Sequence, residues 1–166
     1  MPKFEDPRPR IQRFRDAQDS PHAGFQSALG EIRTGGKRGH WIWYVFPQLE
    51  GLGSSGPARA FAIRGAGEAR EYLRDPDLRS RLLLIATALV EQLRTGTDLA
   101  ALMGSDIDAR KVVSSLTLFG RIASDLNRIE PVDAHESLAR VADEVLSRAA
   151  AEGYPPCAYT LERLRG

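Results

Sequence analysis

DPDLRSRLLLIATALVEQLRTG, residues 75–96, decides the fold. Leu78, Leu82, Ile85, Leu89 and Leu93 recur at spacings of four, three, four and four. That is the apolar stripe of a helix lying on a core. Asp75-Pro76 supplies a side-chain cap followed by proline in the first turn, and Gly96 supplies the stop. One long amphipathic helix needs partners of the same kind, and the chain on both sides offers them.

Upstream, Ile11, Phe14 and Ala17 mark a short helix. Ser20-Pro21 opens a second, carrying Phe25, Ala28, Leu29 and Ile32 and ending at Gly35-Gly36. Phe61 and Ile63 belong to one short element, and Ala69, Tyr72 and Leu73 to the next. Downstream, Leu99, Leu102 and Met103 form another short helix. Asp106 caps a helix with Val112, Val113, Leu116 and Phe119. Asp133 with Glu136 forms an acidic capping box before Leu138, Val141, Val145 and Leu146, a helix ending at Gly153. Ala158 to Leu164 adds one more turn. Useful strand alternation is missing, and so are internal repeats. The expectation is an all-α single compact domain of about seven to nine helices, several of them short, over residues 10–166, with a loose arm at 1–9.

Bulk properties narrow the function. The chain has 166 residues, of which 42% are hydrophobic and 27% charged, with a net charge of +1 from 23 basic and 22 acidic side chains. Charge this balanced, with no basic stripe, argues against a nucleic-acid binder. The longest largely apolar run, Leu82 to Val90, is far short of the ~20 residues of a membrane span. Met1 to Arg15 lacks the apolar stretch of a secretory signal, so the expected location is cytoplasmic. Cys157 is the single cysteine, which excludes an internal disulfide and reads as a partly buried spare thiol. With three histidines and one cysteine, no metal or cofactor is expected. No phosphate-loop, dinucleotide or nucleophile-elbow motif occurs.

Chemistry concentrates at residues 37–48, KRGHWIWYVFPQ. Trp41 to Phe46 is an unbroken apolar and aromatic run, read as a buried helical turn, because a lone strand would leave backbone groups unpaired. If helical, Trp41 and Trp43 diverge by about 200°. His40 is either a catalytic base, with a neutral imidazole, or a core histidine tied to a carbonyl. Trp41 and Trp43 either stack on a ligand, with Lys37 or Arg38 on its anionic group, or form core. Gln48 is a fixed amide beside them. Lys111 and Ser115 share a helix face four residues apart, and hydroxyls at Ser114 and Ser115 are unusual in an apolar helix. His22 and His135 read as solvated residues in first helical turns.

The run Gly36 to Gln48, followed by Gly51-Leu52-Gly53 and Ser55, closely resembles the signature of the bacterial domain-of-unknown-function family numbered 1810. Lys111 with Ser114 to Phe119 agrees as well, and the likeness covers about residues 11–122. The resemblance implies a mainly helical single domain and supplies no activity. Two departures stand out: Asp75 replaces a histidine usual in the family, and Met103 to Asp108 keeps an acidic pair only in shifted form.

The expected site therefore brings 37–48 and 106–115 together around a small anion of the nucleotide or ADP-ribose-like class. His40 would be catalytic, with Lys37, Arg38, Trp41, Trp43, Gln48, Lys111 and Ser115 binding. The alternative is a protein-interaction module whose aromatic cluster is structural.

Overall fold

The computed structural model describes residues 8–165, which form ten helices in chain order. They are α1 (Gln12–Gln18), α2 (Phe25–Arg33), α3 (Ile42–Val45), α4 (Gly56–Ala60), α5 (Ala66–Arg74), α6 (Pro76–Arg94), α7 (Leu99–Met103), α8 (Asp106–Ile129), α9 (Asp133–Ala151) and α10 (Ala158–Arg163). The all-α expectation of about seven to nine helices, several of them short, is borne out, with the unexpected one-turn α4 adding to the count. The arm expected over residues 1–9 falls, for 1–7, outside the described residues; Arg8 is ion-paired with Asp16 at 3.1 Å. No helix among the described residues is long and apolar enough to cross a membrane.

The stripe on α6 is buried throughout, with Leu78, Leu82, Ile85, Leu89 and Leu93 at 5% exposure or less. Asp75 caps it as expected, accepting from the N–H groups of Asp77 and Leu78 at 3.0 Å each. Gly96, at φ +96°, turns the chain away in the left-handed region where glycine is unstrained. α8 is the central helix. From Val112 to Gly120 every residue is buried, enclosed by α5, α7, α9 and α10. Gly120 lets α9 approach closely, since a Cβ there would lie 3.0 Å from that of Ala142.

Hydroxyls inside so apolar a helix are satisfied by the preceding turn: Ser114 donates to the Arg110 carbonyl at 2.9 Å and Thr117 to that of Val113 at 2.7 Å. Ser115 is the exception. It is fully buried, and its Oγ has no hydrogen-bond partner.

Three local expectations are corrected. The helix expected from Ser20 begins at Phe25, because residues 21–24 form a tight turn in which a Cβ on Gly24 would meet the Ser20 carbonyl at 2.2 Å. Phe61 and Ile63 lie beyond α4, and Leu49 and Ile63 form an isolated parallel bridge instead. His135 is not solvated but buried, at 1% exposure. Val132, not a side-chain cap, precedes α9, and His135 falls on the same face as Leu138, Ala142, Val145 and Ala149. That face turns inward, and neither ring nitrogen finds a hydrogen-bond partner.

Candidate functional site

Glu31, near the end of α2, organises the Gly-rich turn before the aromatic cluster. Its carboxylate accepts from the backbone N–H groups of Arg38 and Gly39, and from Trp41 Nε1 at 3.2 Å. A side chain at Gly39 would press on Trp41 Cδ1 at 3.0 Å and Glu31 Oε2 at 3.2 Å, which explains the glycine. Burial alone would push the Glu31 carboxyl up. The N–H groups of Gly39 and Arg38, the Trp41 indole and the Arg38 charge outweigh it and hold the carboxyl below its ordinary range. Lys37 ties the turn to the rest of the fold: its N–H donates to the Leu102 carbonyl at 2.8 Å, and its ammonium pairs with Asp108 at 2.8 Å.

The segment 42–45 is the helical turn expected, and it sends the two tryptophans apart. Trp41 has no exposed surface, so it offers no face for a ligand to stack on. Trp43 is half-buried on the other side, where Lys111 Nζ lies 5.1 Å from its ring centroid and 3.6 Å from Asp108. This joins 37–48 to the start of α8. His40 is exposed rather than set against the aromatics, which removes the reading of it as a core histidine. Arg38 is exposed too, and Ser115 points into the core.

The cleft that does form beside these segments has a volume of about 380 Å³. Gln48 and Leu52 make one side, Ile107, Arg110, Lys111 and Ser114 of α8 another, and Tyr154, Pro155 and Cys157 a third. Local bonds fix each wall. The Gln48 carbonyl accepts from Ile63 N–H, and Glu50 N–H donates to the Ile63 carbonyl, both at 2.8 Å. The Tyr159 hydroxyl donates to the Glu50 carbonyl at 2.8 Å, and Cys157 N–H to Thr117 Oγ1 at 3.1 Å. The Tyr154 hydroxyl donates to Asp106.

Two cations therefore face the cleft. The nearby carboxylates are engaged: Asp106 by Tyr154, Asp108 by Lys37 and Lys111. Arg110 is exposed, 5.8 Å from the Tyr154 ring centroid, and no carboxylate pairs with it among the described residues. Burial pushes the Cys157 thiol up, but the hydroxyls of Thr160 and Ser114 and the N–H groups of Thr160 and Tyr159 beside the sulfur outweigh it. The thiol is held below its ordinary value.

Of the residues expected at a site, Gln48 and Lys111 line this cleft, and Trp43 lies under Lys111. Trp41, Ser115 and the side chain of Lys37 are buried in the structure that supports it, while Arg38 and His40 lie outside the lining. Sequence reading missed Arg110, Tyr154 and Cys157. The one available signal was Tyr-Pro-Pro-Cys after Gly153, an aromatic ring and a thiol on a stiff, proline-fixed segment.

No curated protein matches the chain. A crystal structure of a conserved hypothetical protein from Mycobacterium tuberculosis is similar, at 32% identity and a TM-score of 0.72, over 92% of this chain and 94% of that one. The model of a family described as a protein of unknown function, DUF1810, matches residues 8–137, a span that ends before Tyr154 and Cys157. On that match the chain belongs to the DUF1810 family.

Proposed function

We propose that the protein binds a small anionic ligand in the cleft between the 48–52 loop, the start of α8 and the 153–157 turn. The observation that carries this reading is Arg110, a guanidinium with no carboxylate partner, beside Lys111 in one wall and facing a cleft of about 380 Å³. That size suits a small ligand, for which pockets run roughly 300–1,000 Å³. Arginine and lysine together recognise carboxylate or phosphate oxygens. Gln48 offers an amide for a polar edge. Leu52, Pro155 and Ile107, the last 67% exposed, offer an apolar lip for a planar or aliphatic part. A nucleotide or an ADP-ribose-like compound has both parts. His40 has no role in this version, because it is not in the lining.

Tryptophan fluorescence tests it. Trp41 is sealed in the core, whereas Trp43 lies under Lys111, so drawing Lys111 onto an anion changes the Trp43 emission. A saturable change with nucleotides or sugar phosphates is expected, weakened at least tenfold by Arg110→Gln, about 1.4 kcal/mol. No saturable change up to about 1 mM would reject the reading. The alternative, an interaction module with a structural aromatic core, is favoured by the burial of Trp41, Ile42, Val45 and Phe46 beneath the exposed Arg38 and His40. Failure of every anion in the titration would transfer the argument to it.

A further inference from the structure

We propose that the arginine-walled cleft between α1 and the segment before α5 is a second anion site, and that it binds a small phosphate compound, a phosphomonoester or pyrophosphate, through its phosphate. This cleft has a volume of about 440 Å³ and shares no residue with the one described above. Arg8, Arg10 and Arg13 line it from the start of the described chain, and Arg64 lines it from the segment that leads into α5. Asp16 is the one carboxylate among the described lining residues.

The arginines have different duties. Arg13 is the support. Its Nε donates to the Ala60 carbonyl at 2.9 Å, its Nη1 to the Arg10 carbonyl at 2.6 Å and to Glu68 at 3.3 Å, and its Nη2 to the Ala62 carbonyl at 2.8 Å and to Glu68 at 2.9 Å. All five of its donors are engaged, so it ties α1 to the 60–68 stretch and has none left for a ligand. The two carboxylates are engaged as well. Glu68, with its side chain only 8% exposed, also takes Arg10 Nε at 3.1 Å and the Arg64 N–H at 3.2 Å. Asp16 pairs with Arg8 at 3.1 Å and accepts from Gln12 Nε2 at 3.0 Å. The donors that remain are the two Nη groups of Arg10, which spends only its Nε, and the whole Arg64 guanidinium. That guanidinium makes no hydrogen bond or ion pair among the described residues.

The ligand class follows from charge and lining. Four guanidinium groups against Asp16 and Glu68 leave a surplus of two positive charges around one cleft. An anion set among them relieves their mutual repulsion. A phosphate dianion matches that surplus and offers three oxygens to two guanidinium forks, where a carboxylate offers one charge and two oxygens. Pro9 is the one apolar residue in the described lining, so the site grips the charged group and gives a ring no face to lie on. The first cleft, with its apolar lip, differs on this point. A cleft of this size takes a small compound, and its arginines gather at one place instead of following the row of phosphates on a nucleic-acid strand.

The test is a calorimetric titration of the full chain with pyrophosphate. It compares Arg110→Gln, which removes the cation proposed for the first cleft, with the same chain carrying Arg64→Gln as well. Arg64 is exposed and its side chain supports nothing else in the fold, so the added change should leave the melt unaltered. We expect Arg110→Gln to bind pyrophosphate more tightly than about 1 mM, and Arg64→Gln to weaken that binding at least tenfold. No saturable heat from Arg110→Gln up to about 1 mM overturns the proposal. Binding that Arg64→Gln weakens less than tenfold overturns it too. A single-stranded oligonucleotide bound more tightly than pyrophosphate, with the same loss on Arg64→Gln, overturns the small-ligand class. Trp43 fluorescence reports on the first cleft alone, so the two sites fail separately.

Discussion

Replacing Glu31 by alanine removes the acceptor that closes the turn before the aromatic cluster. Three donors lose their partner: the N–H groups of Arg38 and Gly39, and Trp41 Nε1. The indole is the costly one, because Trp41 has no exposed surface. A buried N–H without a partner costs about 1–3 kcal/mol. The two backbone groups lie closer to solvent and can turn to water, so each contributes about 0.5–1 kcal/mol. The sum runs from about 2 to 5 kcal/mol and centres near 3.5 kcal/mol, a fall of about 7–14 °C in melting temperature for a chain of this size. Glu31→Gln keeps one acceptor oxygen but loses the charge, and should cost about half as much. Thermal melts of the wild type and both variants at neutral pH check this. An alanine variant melting within about 2 °C of the wild type would refute the idea that the carboxylate holds the turn.

Acid gives a second readout of the same bonds. The Glu31 carboxyl is held below its ordinary range in the fold. The unfolded chain therefore takes up the proton more readily, and acid favours unfolding through this group. Its contribution is fully present above the unfolded value of about 4.3 and is lost as pH falls through the lower folded value. The stability gap between wild type and Glu31→Gln should be constant near neutrality and close below about pH 4. A gap that widens in acid would contradict the assignment.

Other substitutions probe the remaining supports. His135→Leu replaces a buried ring with two unpaired nitrogens by an apolar side chain, and should raise stability by about 1–2 kcal/mol in denaturant titrations; a loss instead would reveal a buried water partner. Lys37→Met leaves Asp108 with only Lys111 at 3.6 Å and should cost about 2–4 kcal/mol by the same measurement, since the Lys37 side chain is 8% exposed. Gly51→Ala puts a Cβ 2.2 Å from the Tyr159 hydroxyl at φ +99°, and should lower the melting temperature while weakening ligand-induced fluorescence changes, because that contact joins the 48–52 loop to α10.

How much of this was legible in the sequence differs by element. The α6 stripe and the helical turn at 42–45 were, because period and the cost of unpaired backbone decide them without tertiary knowledge. The start of α9 was not. Asp133 and Glu136 have the residue types of a capping box, yet neither makes the cap, and one shift of register carried His135 from solvent to core. The approach of 37–48 to the start of α8 was legible only as unexplained chemistry in two places. Arg110 gave no signal, since an arginine on an exposed helical position is ordinary. What distinguishes it is its place beside Lys111 in the cleft wall, a property of space rather than of order along the chain.

The same distinction separates the family signature from the cleft. The signature's chemistry is largely consumed within the fold: the Arg38 and Gly39 amides and the Trp41 indole go to Glu31, and the Lys37 ammonium goes to Asp108. Groups tied in this way hold a turn and close a core, and they are not available to a ligand. In the cleft wall, by contrast, the Arg110 guanidinium has no carboxylate partner among the described residues, and Lys111 is shared between Asp108, Trp43 and the cleft. Cys157 and Tyr154 come from a segment beyond the matched residues 8–137. None of the bonds that fix the 37–41 turn runs through Arg110 or Cys157. Substituting Arg110 should therefore leave the melting temperature within about 2 °C while removing anion binding in this cleft, whereas Glu31→Ala should lower it. If Arg110→Gln instead melted as low as Glu31→Ala, the cleft would be part of the structural support, and signature and site would not be separate.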